Sequence, residues 1–305
     1  MKRFITYIII SFCFVVNSHA QQDEQMSMYM YNPLYYNPAY AGSKDAISMV
    51  AAGRAQWVGF DGAPNTQWFS IHAPLLFKTI GVGAHMVHDE IGKRQRTSMF
   101  GDLSVSIPVN KSKESRIALG FSFGADIVGF DFSKATVNDV SDPYYGMNVS
   151  ATKFNMGAGI YYYGKNHYIG ISASRVLEPS IKTDKDVIQT LNMRHFFLTG
   201  GYVFDLNSVF KLKASTLVKY VPKSSVTTDI DLSLLSYDLL WTGLMYRFNE
   251  SMGAHVGINI NDFTIGYAYD FPINGLRTYQ SGSHEVFLQY NLRTKKNSFI
   301  SPRYF

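Results

Sequence analysis

The most regular feature of the sequence is an alternation of apolar residues with small or polar ones, which runs from about residue 45 to residue 292. Residues 263–271 show it clearly, because every second position is aromatic or aliphatic: Phe263, Ile265, Tyr267, Tyr269 and Phe271. Successive side chains of a β-strand point to opposite faces, so a period of two predicts strands with one apolar face. The chain is therefore predicted to be all-β.

Fourteen segments show this alternation. Their ranges are 45–58, 66–76, 79–89, 96–109, 114–129, 152–163, 166–176, 192–205, 209–220, 226–234, 238–249, 252–260, 263–271 and 282–292. Most of them exceed about nine residues, which is the length that a tilted strand needs to cross a bilayer. The number of segments is even, as in single-chain bacterial outer-membrane barrels.

The two faces of these segments differ in a way that favours a membrane barrel over a soluble sandwich. The polar face consists mainly of glycine and small polar residues, whereas a sandwich strand usually turns Lys, Glu and Thr to water. Apolar positions such as Phe121, Ile160 and Ile258 are predicted to face lipid. Glycines such as Gly157 and Gly257 are predicted to face a lumen with room for serine.

The lengths of the connections predict the orientation of the barrel. Connections after even-numbered segments are short, whereas those after odd-numbered segments are longer: 59–65, 90–95, 130–151, 177–191, 221–225 and 272–281. Only the turn near 249–251 breaks the rule. Bacterial barrels have short periplasmic turns and longer outer loops. We therefore predict a fourteen-stranded antiparallel transmembrane β-barrel, in the cell outer membrane, with both termini in the periplasm.

The N-terminus has the features of a secretory signal peptide. Lys2 and Arg3 precede an apolar run over 4–16, and Ser18 and Ala20 are small residues at the positions read by a signal peptidase. We expect cleavage before Gln21, which also removes Cys13, the one cysteine of the chain. The predicted organisation is a signal peptide (1–20), a tyrosine-rich periplasmic segment (21–44), the barrel (45–292) and a periplasmic tail (293–305).

Charge and chemistry-bearing residues do not indicate an enzyme or a nucleic-acid-binding protein. Without Lys2 and Arg3, 26 basic residues remain against 23 acidic ones, and they form no basic stripe. In Ser283-His284-Glu285 the histidine is predicted to point away from both neighbours, which excludes a triad of these three. The same parity argument separates His85 from His88. We therefore predict no catalytic residue, no metal site and no cofactor.

Three sequence blocks carry a resemblance to a known family. They are MYMYNPLYYNPAYAGS at 28–43, RAQWVGFDGAPNTQWFSIHAP at 54–74 and YDFPINGLRTYQSGSHEVFLQY at 269–290, and the closing SPRYF is also familiar. Over essentially the whole mature chain the sequence resembles the PorP/SprF family of Bacteroidota outer-membrane proteins, which is tied to type IX secretion and gliding motility. Glu24 departs from the pattern, because a proline is expected there.

The resemblance implies an accessory role in secreting or anchoring large surface adhesins that carry a type B C-terminal domain. It also implies contact with the type IX translocon and with periplasmic ring or lipoprotein components. Two alternatives from other classes are a porin or transport channel for small solutes, and a barrel enzyme such as a phospholipase or protease. No constellation of residues supports the enzyme.

The tyrosine-rich segment has two possible roles. One is a plug or girdle that closes the periplasmic mouth of the barrel, the other is a docking surface for a secretion partner or a cargo domain, and the two can coexist. The residues that would form the docking surface are Tyr29, Tyr31, Tyr35, Tyr36, Asn37, Pro38 and Tyr40. In the long loop 130–151, cargo contacts would come from Asp139, Asp142, Tyr144 and Tyr145. In either role we expect the tyrosines to pack rather than to move freely, because their rings are largely apolar.

Overall fold

The structure is a computed structural model. The residues it describes are 24–75, 79–110, 114–131, 148–177, 180–182, 188–190, 194–222 and 224–293. The predicted signal peptide and residues 294–305 of the predicted tail lie outside this range.

The chain forms sixteen strands within the described residues. They are β1 (Ala46–Ala55), β2 (Asn65–Leu75), β3 (Ile80–Ile91), β4 (Arg94–Pro108), β5 (Arg116–Asp131), β6 (Asn148–Tyr163), β7 (His167–Ser174), β8 (Ser180–Lys182), β9 (Ile188–Thr190), β10 (His195–Asp205), β11 (Phe210–Tyr220), β12 (Thr227–Ser236), β13 (Leu240–Arg247), β14 (Ser251–Ile260), β15 (Phe263–Pro272) and β16 (Ser283–Arg293). Short helical turns cover Tyr29–Tyr31, Pro33–Tyr36, Pro38–Tyr40 and Gly275–Thr278.

Fourteen of the described strands form one closed antiparallel barrel, which confirms the predicted fold. Each strand pairs with its neighbours along the chain, except that β7 pairs with β10 and leaves β8 and β9 as a separate two-stranded sheet. β1 and β16 close the barrel, with Ala46 opposite Arg293 and Ala55 opposite His284. We call the end at which β1 begins and β16 ends the proximal end, and the opposite end the distal end.

The barrel wall has the predicted sidedness. Phe121 and Phe154 expose 53% and 79% of their surface on the outside, and Ile160 is exposed there too. Inward positions such as Ser98 and Ser122 are buried. An apolar exterior around a polar interior is the arrangement of a transmembrane barrel.

No helix among the described residues is both long enough and apolar enough to cross a membrane.

One predicted loop is wrong. The range 90–95 was expected to be a loop, but β3 extends to Ile91 and β4 begins at Arg94. Gly92, with φ of +57°, provides the left-handed conformation that lets a two-residue turn join these long strands. The predicted exception near 249–251 is confirmed, since β13 and β14 are joined by residues 248–250.

The N-terminal segment, defined here as residues 24–44, lies inside the barrel and not in front of it. Its tyrosines and apolar residues are buried, including Leu34, Tyr36 and Ala39. The predicted periplasmic position is therefore corrected to a position in the lumen. The physical reason is that the aromatic rings lose water contact against the inner wall, and a barrel of fourteen strands is wide enough to hold them.

Candidate functional site

The N-terminal segment traverses the lumen from one end to the other. At the proximal end, Lys44 Nζ lies 3.3 Å from Ser48 Oγ, near the start of β1. At the distal end, Glu24 forms an ion pair with Arg96, near the start of β4. A second guanidinium, that of Arg175, lies 3.9 Å from the Glu24 carboxylate. The lumen is thus filled along its length by the protein's own chain.

The two Asn-Pro pairs shape the middle of the segment. Pro33 and Pro38 each occupy the first position of a short helical turn, where a proline needs no N–H donor. The Asn37 side chain accepts a hydrogen bond from Ala39 N at 2.9 Å and caps the second turn. Its Nδ2 also donates to Ile160 O on β6 at 3.0 Å. Asn37 therefore links this turn to the wall.

Glycines on the inner wall make room for the segment near its proximal end. A Cβ atom added to Gly120 would overlap the Ala39 backbone, and one added to Gly81 would overlap the Ala41 carbonyl. A Cβ atom at Gly42, on the segment itself, would lie 2.5 Å from Gly81 Cα. Main chain therefore packs directly against main chain here, which only glycine permits.

The prediction that lumen-facing glycines tolerate serine is contradicted at Gly257. A Cβ atom at Gly157 would lie 2.5 Å from Ser122 Oγ, and one at Gly257 would overlap the Trp241 ring. The Trp241 side chain on the wall fills the space that a serine at Gly257 would need.

Each tyrosine of the segment has a partner. Tyr31 stacks between Trp241 and Phe287, with ring centroids at 4.7 and 4.4 Å. The remaining contacts are Tyr29 Oη with Ser215 Oγ at 3.2 Å, Tyr35 Oη with Glu24 at 3.0 Å, Tyr36 with the Phe197 ring at 5.2 Å, and Tyr40 with the His72 and Tyr161 rings at 5.1 and 5.5 Å. The prediction that the tyrosines pack is confirmed. They contact the wall or other residues of the segment.

The wall also binds the main chain of the segment. The Glu285 carboxylate accepts from two successive amides, Ser27 N at 2.7 Å and Met28 N at 2.8 Å. Ser172 Oγ donates to Tyr36 O, and Ser104 Oγ donates to Ala41 O, both at 2.7 Å. Hydrogen bonds to a charged acceptor are the stronger kind, so Glu285 is the main polar anchor of the distal half.

Buried ion pairs surround this anchor at the distal end. Arg54 lies 2.7 Å from Asp270 and 3.2 Å from Glu285. Arg247 pairs with Asp229 at 2.8 Å and donates to the Gln25 side-chain oxygen at 2.9 Å. Removing one member of a buried pair leaves an uncompensated charge, which costs about 3–5 kcal/mol. These ion pairs therefore keep in place the charged side chains that contact residues 24–28.

The other predicted side-chain orientations are confirmed. His284 contacts Tyr267 Oη at 2.6 Å on the outer face, whereas Glu285 points inward. His85 Nδ1 lies 2.8 Å from Asp102, while His88 Nδ1 lies 2.8 Å from Thr97 on the other side of the wall. Among the described residues, no group of three or more His, Cys, Asp or Glu side chains could hold a metal ion.

The sequence did not indicate the role of Glu285 in binding the segment. A carboxylate on the inward face of a strand was the available signal, but its partners in the segment, Ser27 and Met28, lie more than 250 residues away. The proposed loop contacts Asp139, Asp142, Tyr144 and Tyr145 lie outside the described residues.

Several solved structures match this chain at low sequence identity. The outer membrane protein Omp33 of Acinetobacter baumannii is 9% identical, with 81% of this chain and 99% of that chain covered and a TM-score of 0.46. The toluene transporter TbuX of Ralstonia pickettii is 9% identical, with 88% and 94% covered and a TM-score of 0.48. A mutant of the monoaromatic hydrocarbon channel TodX is 11% identical, with 85% and 94% covered and a TM-score of 0.49. A comparison with curated proteins gave no match.

The family comparison covers most of the chain. The model for the type IX secretion system membrane protein PorP/SprF matches residues 18–290, a range that holds the N-terminal segment and nearly all of the barrel. The chain therefore belongs to the PorP/SprF family of type IX secretion system membrane proteins.

Proposed function

We propose that this protein is an accessory component of type IX secretion that serves the secretion or surface anchoring of large adhesins with a type B C-terminal domain, of the kind used in gliding motility. The observation that carries the proposal is the family match over residues 18–290. The barrel fold and the family place the protein in the outer membrane as a multi-pass protein. The adhesin role is the further step that needs an experiment.

The filled lumen weighs against the alternative of a porin. A porin keeps an aqueous channel through the barrel, whereas the lumen here holds residues 24–44 with their rings packed on the wall. Solute passage would require this segment to move. A protein that presents surfaces at both ends of a closed barrel suits an accessory role better than permeation.

The loop lengths support a periplasmic proximal end. Proximal connections such as 164–166 and 261–262 are short, whereas the distal connections 56–64 and 273–282 are longer.

In this orientation the distal loops meet exported proteins, and the proximal turns and the C-terminal tail meet translocon, ring or lipoprotein components. Lipid is the partner of the exposed outer wall. The tyrosines of the segment would reach a protein partner only after leaving the lumen.

The proposal is tested by deleting the protein and cataloguing the proteins on the cell surface. The expected result is the loss of a large adhesin while other type IX substrates are still exported. Complementation with the wild-type chain is the control, and it should restore the adhesin. An unchanged surface would contradict the proposal, and a large steady conductance of the wild-type protein in planar bilayers would favour the porin.

A further inference from the structure

The N-terminal segment is bound by the barrel wall without being part of it. Among the described residues, those from 24 to 44 belong to no strand, and the barrel ladder closes without them. Their polar bonds to the wall come from side chains such as Glu285, Ser172 and Ser104. The distal part of the segment can therefore leave without breaking a hydrogen bond between strands.

The wall contacts features that many polypeptides share. Glu285 binds the amides of Ser27 and Met28, and Ser172 binds the carbonyl of Tyr36. These bonds depend on the path of the main chain and not on which side chains it carries. Such main-chain contacts give affinity for any polypeptide that follows this path, while side-chain pockets add selectivity.

Two side-chain sites contribute to that selectivity beside polar contacts such as that of Gln25 with Arg247. The Glu24 carboxylate lies between the guanidinium groups of Arg96 and Arg175. The Tyr31 ring lies between Trp241 and Phe287, and it is only 3% exposed. The two sites are occupied by residues seven positions apart in the chain. They select an acidic residue followed, at that spacing, by an aromatic one.

We propose that the distal lumen is a polypeptide-binding site, with residues 24–36 as its resident occupant, and that a second polypeptide of the same chemistry binds there in their place. The ligand class is a linear peptide with an acidic residue about seven positions before an aromatic one and with two free amides between them. Residues 37–44 stay in place, because they are joined to β1 and packed on Gly81 and Gly120. This inference goes beyond the adhesin role, since it does not depend on which protein is exported.

The test removes the resident residues from the barrel and adds them back as a free peptide. A variant lacking residues 21–36 behind the signal sequence is purified, checked for folding by its heat-modifiable gel mobility and placed in planar bilayers. The probe is a synthetic peptide of residues 24–36, EQMSMYMYNPLYY, and the control is a scrambled peptide of the same composition. We expect the variant to conduct and the 24–36 peptide to block it saturably, while the scrambled peptide has no effect. The full-length protein should remain closed.

A substitution of Glu285 tests its contact with the two amides of the bound peptide. Glu285→Gln in the deleted variant replaces a charged acceptor of two amides by a neutral group with one acceptor oxygen. We expect the peptide to bind at least about tenfold more weakly, since a charge-assisted hydrogen bond contributes about 1.5–3 kcal/mol and 1.4 kcal/mol is a factor of ten. Glu90→Gln is the matched control on the outer face, beside His88, and it should leave the affinity unchanged.

Several results would overturn the proposal. They are a folded deletion variant that does not conduct, equal block by the two peptides, and equal affinity after Glu285→Gln. If the deletion variant does not insert into membranes, the full-length Met28→Pro variant replaces it, because proline removes the amide that Met28 donates to Glu285. This variant should open intermittently and be closed by the peptide, and a permanently closed Met28→Pro barrel would also reject the inference.

Discussion

Gly42 is the position at which the packing of the N-terminal segment can be measured most directly. Its φ of +68° is in the left-handed region, and an added Cβ atom would lie 2.5 Å from Gly81 Cα and 3.2 Å from Ala73 O. The left-handed conformation costs an L-residue about 1–2 kcal/mol. Forcing an atom into a packed interior costs about 1–3 kcal/mol more. Gly42→Ala should therefore lower the free energy of unfolding by about 2–5 kcal/mol.

A second glycine separates the two contributions. Gly92 also has a positive φ, of +57°, but an added Cβ atom would meet nothing within 4 Å. Gly92→Ala should cost only the conformational part, about 1–2 kcal/mol. Gly53→Ala, with neither a positive φ nor a neighbour within 4 Å, serves as the neutral control.

The assay is urea unfolding in lipid vesicles, followed by tryptophan fluorescence and by the gel shift of the folded barrel. The same variants are placed in planar bilayers, where Gly42→Ala should leak and Gly92→Ala should stay closed. Equal unfolding free energies for Gly42→Ala and Gly92→Ala would show that the segment does not pack on β2 and β3 as described.

Three further predictions test other parts of the structure. Phe121→Arg should destabilise the barrel by about 2–4 kcal/mol if it lies near the bilayer midplane, and Phe121→Leu is its control in the same vesicle titration. Tyr31→Ala should cost about 3–5 kcal/mol because it empties a buried aromatic site, whereas Tyr279→Ala, at 70% exposed, should stay within about 0.5 kcal/mol. A protease site in 134–148 should be cut on intact cells, and one at 206–208 only after the outer membrane is opened; the reverse pattern would contradict the proposed orientation.

The sequence by itself determined the barrel. Every second residue faces lipid, so each strand must carry an apolar face, and that local period revealed all fourteen strands and the outward side of residues such as Phe121. The same parity placed His85 and His88 on opposite faces. A tight turn was harder to predict, because Gly92 and Lys93 join β3 and β4 within a polar stretch that was predicted to be a longer loop.

Only the tertiary structure decided where the N-terminal segment lies. Its tyrosines indicated that it would pack, but not against what. The contacts that place it join Ser27 to Glu285 and Tyr31 to Trp241, and such pairs are brought together only when the barrel closes. No local period records a contact between residues more than 200 positions apart. The lumen is filled, because burying the segment's aromatic rings removes apolar surface from water.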